Sequence, residues 1–190
     1  DDLIISAVGG DTGGVNFGEA YVVYGSASGA NIDLSTLTPS QGFIIIGDGS
    51  GITVSSAGDV NGDGFDDLII GSDFDNTGGL RAGAAYVVYG GTAGTNVDLG
   101  ALTETQGFKI LGDESFDQFG RSVSSAGDVN GDGFDDLIAG ASRGDDGGED
   151  AGEAYVIYGG ATETESTVAV TQTGTMAADN FTGNAGADSF

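Results

Sequence analysis

Hydrophobic residues in this chain fall into short runs, each closed by Gly, Asn, Asp or Ser. Three share an aromatic signature: Ala20-Tyr21-Val22-Val23-Tyr24-Gly25, Ala85-Tyr86-Val87-Val88-Tyr89-Gly90 and Ala154-Tyr155-Val156-Ile157-Tyr158-Gly159. Two more read Gly42-Phe43-Ile44-Ile45-Ile46 and Gly107-Phe108-Lys109-Ile110-Leu111. A third kind, Ile52-Thr53-Val54-Ser55-Ser56 and Ser122-Val123-Ser124-Ser125, mixes apolar with hydroxyl residues. Runs rich in β-branched and aromatic residues, bounded by turn formers, predict strands. No window carries the apolar period of a capped helix, in a sequence with 38 Gly and 1 Pro. Leu68-Ile69-Ile70 and Tyr86-Val87-Val88-Tyr89 are apolar on both faces, which predicts a sheet packed between two neighbours.

The runs recur in phase. Asp2, Asp67 and Asp136 occupy equivalent places, 65 and 69 residues apart, and each is followed 19 residues later by the first tyrosine of an aromatic run. Repeats of this length are supersecondary units stacked side by side. Four short strands per unit predict an all-β fold of β-propeller-type blades, each a four-stranded antiparallel sheet, two to three blades in all. The four-residue difference in repeat length falls where Gly47-Asp48-Gly49-Ser50-Gly51 stands in place of Gly112-Asp113-Glu114-Ser115-Phe116-Asp117-Gln118-Phe119-Gly120, a connection between strands. The chain opens inside a repeat, since Asp1-Asp2-Leu3-Ile4-Ile5 matches Asp66-Asp67-Leu68-Ile69-Ile70, so the first sheet is expected to lack its opening strand.

Before two of the anchoring aspartates stands a loop with candidate chemistry. Asp59-Val60-Asn61-Gly62-Asp63-Gly64-Phe65-Asp66-Asp67 and Asp128-Val129-Asn130-Gly131-Asp132-Gly133-Phe134-Asp135-Asp136 place oxygen-bearing side chains at positions 1, 3, 5 and 9 and a glycine at 6. A hard cation needs such a set from one tight turn, with the position-7 carbonyl completing it. The candidate metal ligands are Asp59, Asn61, Asp63, Phe65 and Asp67, and Asp128, Asn130, Asp132, Phe134 and Asp136, with Phe65 and Phe134 contributing carbonyls. The competing reading is an Asn/Asp/Gly hairpin turn without metal. An EF-hand is disfavoured, because position 12 holds Ile70 or Ala139 in place of Glu. Ca2+ suits the set better than Mg2+, whose octahedral shell is stricter. Asp2 is the remnant of a third such loop.

The combination of Phe119-Gly120 before Ser122-Val123, the two Asp-x-Asn-x-Asp-Gly loops and Gly140-Ala141 resembles the FG-GAP repeats of integrin α propellers and of many bacterial surface proteins. Ser142 stands where that family usually has proline, and the middle copy offers Gly51-Ile52 in place of Phe-Gly. The resemblance covers residues 1–160: an incomplete blade over 1–51, a full repeat over 52–120 and a third repeat over 121–160. Family propellers have about seven blades, which implies further repeats of a longer chain or assembly with copies. Residues 161–178 read as a Thr-rich linker or closing strand, and 179–190 resemble one turn of the RTX calcium repeat through Gly183-Asn184-Ala185-Gly186-Ala187-Asp188-Ser189-Phe190. The family also implies an extracellular setting, secreted or at the surface of a bacterial cell.

Charge narrows the partners. With 30 acidic and 4 basic residues the net charge is −26, which excludes nucleic acid and anionic membranes, both of which need a basic footprint. Neither His nor Cys occurs, so disulfides and the common zinc and copper sites are excluded. No Ser has an evident base, and the acids of the repeats sit in metal loops, so a non-catalytic module is expected. The repeated tyrosines fit a sheet core better than a sugar-stacking set. Arg143-Gly144-Asp145 spells a cell-attachment tripeptide, although matches of that length arise by chance in a chain rich in Gly and Asp. Three functions follow: a calcium-binding adhesion or structural module with a protein or glycan ligand, a self-assembling surface or filament subunit, or an appendage of a secreted hydrolase.

Overall fold

Each aromatic run pairs antiparallel with the run that follows an anchoring aspartate, and the register is the same in all three copies: Leu3 faces Val23, Leu68 faces Val88 and Leu137 faces Ile157. The computed structural model describes residues 2–12, 17–26, 31–48, 52–91 and 94–161. The expected closing strand and the RTX-like turn lie outside these residues. The described strands are β1 (Leu3–Ala7), β2 (Glu19–Val23), β3 (Gly42–Ile46), β4 (Ile52–Gly58), β5 (Asp67–Ser72), β6 (Ala84–Val88), β7 (Val97–Asp98), β8 (Gly107–Leu111), β9 (Phe119–Gly127), β10 (Asp136–Ala141) and β11 (Glu153–Ile157). Among the described residues the helical elements are two 3-10 turns, Leu34–Thr36 and Leu99–Ala101, started by the Asp33 and Asp98 side chains accepting from Ser35 and Gly100 N–H groups.

The middle sheet, in order β4-β5-β6-β8, is the up-and-down antiparallel blade that the repeats predict. The third sheet contributes β9, β10 and β11. The first sheet, β1-β2-β3-β7, departs from expectation: its fourth strand is β7, which comes from the β6–β8 connection of the middle blade and pairs parallel with β3. Two residues of pairing are too short to leave a sequence pattern, and the Asn96 side chain assists by accepting from the Ile44 N–H at 3.0 Å. The first and middle blades are thereby laced together by backbone as well as by packing.

Alternation along β5 and β6 builds two cores from one sheet. Ile70, Ala84, Tyr86 and Val88 face the first blade and pack with Ala20, Val22, Phe43, Ile45 and Val97. Ile69, Ala85 and Val87 face the third blade and pack with Leu137, Ala139, Ala141, Tyr155 and Ile157. Burying each Val, Ile or Leu is worth about 1.5–3 kcal/mol, so these two interfaces are the main stabilising term. The outer faces are less well covered: Leu3 is 63% exposed on β1, Ile5 39%, and Ile138 38% on β10.

Phe119-Gly120 of the third blade meets Gly71, Gly83 and Ala84 of the middle blade across the blade interface. Phe119 starts β9, is buried, bridges Gly83 and packs edge-on against Tyr155 with ring centroids 5.3 Å apart. Gly120 has φ +82°, and a Cβ there would fall 2.2 Å from the Ala84 carbonyl oxygen. In return, a Cβ on Gly71 would fall 2.0 Å from the Gly120 carbonyl oxygen, which also accepts from the Thr53 hydroxyl at 3.0 Å. The blades approach this closely because neither glycine carries a side chain. Gly120→Ala is therefore expected to lower stability well beyond Gly127→Ala, whose φ of +69° meets open space. The second change should cost about 1–2 kcal/mol for left-handed backbone alone, and urea unfolding of the two variants measures the difference.

Candidate metal centre

The loops between β4 and β5 and between β9 and β10 coil around their own aspartates. In the first, Asp59 Oδ1 accepts from Gly62 and Asp63 N–H at 2.8 and 3.1 Å, and Asp59 Oδ2 from Gly64 N–H at 2.9 Å. Asn61 Oδ1 accepts from Asp63 N–H at 2.8 Å, and Asp63 Oδ1 from Phe65 N–H at 2.9 Å. The second loop repeats this atom for atom through Asp128, Asn130 and Asp132, at 2.6 to 3.1 Å. Side chains with oxygens at every second position thus face the inside of the turn.

The ninth residue does different work. Asp67 is fully buried and accepts from Val60 N–H at 3.0 Å and from Gly90 N–H, at the end of β6, at 2.8 Å. Asp136 does the same with Val129 and Gly159, at 2.8 and 2.9 Å. Asp2 keeps half of the arrangement, accepting from Gly25 N–H at 2.8 Å, so this remnant still clamps its strand. Burial pushes the Asp67 carboxyl up to about 6 against the pull of its two N–H donors, and Asp63 and Asp59 push in the same direction.

The lone pairs left over fit a hard cation. Each carboxylate or amide oxygen accepts two hydrogen bonds. Asp59 Oδ2, Asn61 Oδ1, Asp63 and Asp67 each retain capacity, and the Phe65 carbonyl takes no hydrogen bond from a described residue. The donors are all oxygen, as Ca2+ requires. Two features oppose easy loading: the Asn61 and Asn130 amides donate to Asp63 and Asp132 Oδ2, at 3.1 and 2.9 Å. In addition, the carboxylate triads whose oxygens lie within 4.8 Å of one another are elsewhere among the described residues. An ion would have to draw the loop carboxylates together.

Asp135, which the loop pattern leaves without a role, joins the two loops. Its Oδ2 accepts from Asp59 N–H at 2.9 Å while its own N–H donates to the Asp59 carbonyl at 3.0 Å, and Gly160 N–H donates to the Val60 carbonyl at 2.9 Å. The loops of the middle and third blades are therefore one connected rim.

The opposite rim carries acids that the loop pattern does not reach. Under the middle blade, the Tyr86 hydroxyl donates to Asp48 and, at 3.2 Å, to Asp75. Lys109 Nζ bridges both at 3.3 and 2.8 Å, donates to Thr77 and lies 4.8 Å above the Tyr86 ring. Although burial opposes it, hydrogen bonds from Lys109 and Thr77 hold the Asp75 carboxyl down at about 2. Under the third blade, the Tyr155 hydroxyl donates to Asp113 at 3.0 Å and to Glu153. Around it stand two triads, Asp113 with Asp146 and Glu153, and Glu114 with Asp117 and Asp145. Burial, then the charges of Asp113, Glu153, Glu114 and Asp145, push the Asp117 carboxyl up to about 6. Asp145, the acid of the Arg143-Gly144-Asp145 tripeptide, is turned into this group and accepts from Asp150 N–H at 2.7 Å. The repeat-phased pair Asp48 and Asp113 was the available sequence signal for this rim.

Comparison with known proteins agrees with this geometry. Residues 50–88 and 119–157 match the FG-GAP repeat. Integrin alpha-PS2 of Drosophila melanogaster is 36% identical over 121 residues, 60% of this chain and 8% of that protein. Integrin alpha-2 of Bos taurus is 38% identical over 48% of this chain and 7% of its own length, and integrin alpha-5 of Xenopus laevis 36% identical over 55% and 9%. The chain thus spans less than a tenth of the length of these relatives. Two stretches of it match the FG-GAP repeat, within a segment similar to integrin alpha chains.

Proposed function

We propose that this segment is a calcium-stabilised, non-catalytic adhesion or structural module that works outside the cell. The observation that carries the reading is the pair of matching loops: oxygen-only donors with spare lone pairs, attached through Asp67 and Asp136 to the strand ends at Gly90 and Gly159. A cation held by Asp59, Asn61, Asp63, Asp67 and the Phe65 carbonyl, with its counterpart in the next blade, neutralises mutual repulsion and locks each loop to its blade. Extracellular calcium is high enough to fill weak loops of this kind. Similarity to integrin alpha chains supports a protein or glycan ligand met by the loops of one rim.

A second reading, association with copies of itself, rests on Leu3, Ile5 and Ile138, which leave apolar surface on the outer blade faces. Sedimentation of the calcium-loaded chain over a range of concentrations separates the two. A monomer throughout removes self-association, and concentration-dependent polymers favour it.

Calcium is expected to raise the melting temperature of chelator-treated protein, with uptake of an ion by each loop measured by calorimetry. Asp59→Asn combined with Asp128→Asn should abolish both loop sites. No calcium uptake by the wild-type chain would remove the metal reading.

Metal-free protein should have a distinctive pH profile. Asp67 and Asp117 have folded values of about 6, above the ordinary aspartate value of about 4. The folded state therefore binds protons more tightly than the unfolded one, and the resulting stability is fully present below about pH 4 and lost as pH rises through about 6. Urea midpoints should fall from pH 5 to pH 7 without calcium and rise over the same range with it, because protons and ions compete for the carboxylates.

A further inference from the structure

Blade geometry places Tyr86 and Tyr155 at the same point of successive repeats, each with its hydroxyl on an aspartate from the preceding inter-blade connection, Asp48 or Asp113. The two corners differ in how negative charge is balanced. In the middle blade, Lys109 projects from β8, opposite Tyr86 in the β6–β8 register, and bridges Asp48 and Asp75. In the third blade six acids gather, Asp113, Glu114, Asp117, Asp145, Asp146 and Glu153, and among the described residues no Lys or Arg forms an ion pair with Asp113, Glu114, Asp117, Asp145 or Glu153.

Asp117 gives the group its direction. It is 2% exposed, yet no described donor reaches its carboxylate. Its backbone is held from both sides: Phe116 and Gln118 N–H donate to the Leu80 and Arg81 carbonyls at 2.8 and 3.2 Å, and the Asp117 carbonyl accepts from Arg143 N–H at 3.1 Å. So fixed, the side chain meets Glu114 and Asp145, and the three carboxylates present oxygens within 4.8 Å of one another. A carboxylate that is buried, without a donor and surrounded by like charge lacks the partner that buried polar groups ordinarily have.

We propose that this junction is a further divalent-cation site, in which Asp117, Glu114 and Asp145 hold a hard cation that takes the part Lys109 plays one blade earlier. Asp113, Asp146 and Glu153 border it, positioned by the Tyr155 hydroxyl and, for Glu153, by Asp146 N–H at 2.6 Å. Oxygen-only ligands from two surface connections favour Ca2+ over Mg2+, because the shell is adaptable and the ion surrenders water readily. The cation ties the β8–β9 connection to the β10–β11 hairpin, and so the middle blade to the third. This site does not depend on the loop sites at the opposite rim.

Calcium titration calorimetry of four chelator-treated chains tests it: wild type, Asp117→Asn, Glu114→Gln, and the loop double variant Asp59→Asn with Asp128→Asn. The expected result is that Asp117→Asn and Glu114→Gln each lose one ion per chain relative to wild type while the loop double variant retains an ion. Asp117→Asn should also melt higher than wild type without metal, because it removes the buried charge. Glu114 lies on the exposed connection, so its variant carries the same comparison if the Asp117 variant does not fold. Wild-type stoichiometry and affinity in both acid-cluster variants would overturn this site and leave the loop reading standing. Loss of every ion in the loop double variant would also overturn it.

Discussion

A buried aspartate holds each of the middle and third repeats together at one rim. Asp67 and Asp136 each bind one N–H in their own loop and another at the far end of the next aromatic strand, 23 residues on, and Asp2 makes the second of these bonds. Because the carboxylate is buried, each N–H it accepts matters more than it would in water. The strand end, the loop and the adjoining hairpin are consequently tied together. Any ion gathered by the loop acts directly on the blade, which gives cation binding a mechanical meaning.

Packing between blades depends on the absence of side chains as much as on their presence. Val, Ile and Tyr fill both faces of the middle sheet, but Gly71 and Gly120 let backbone touch backbone where β9 crosses the β5–β6 hairpin. Phe119 then drops beside Tyr155. Phe119-Gly120 and the glycines Gly71 and Gly83, far apart in sequence, are two sides of one contact.

Charge is balanced locally in a chain whose net charge is −26. Backbone N–H groups serve the loop aspartates, Lys109 serves Asp48 and Asp75, and Arg121 serves Asp73 at 2.6 Å. Four basic residues cannot neutralise thirty acids, so the remaining clusters depend on protons, solvent or ions. That limit is why the corner around Asp117 stands apart from its counterpart one blade earlier.

Strand content, blade repetition and the loop motif were all readable from sequence, because each arises from local periodicity or from residues adjacent in the chain. Leu3, Leu68 and Leu137 announce the common register simply by their distance from the tyrosines that follow. Other features needed the folded chain. The parallel strand Val97–Asp98 is too short to show a pattern and exists because the β6–β8 connection passes the edge of β3. Asp135 gains its role only when neighbouring loops touch. The acids at 113–117 and 145–146 belong to different strand connections and Glu153 opens β11, and only the folded chain makes them neighbours. Sequence by itself determined the blades and their candidate ion loops, since both are local; tertiary structure decided which distant carboxylates share space, because that depends on how the sheets stack.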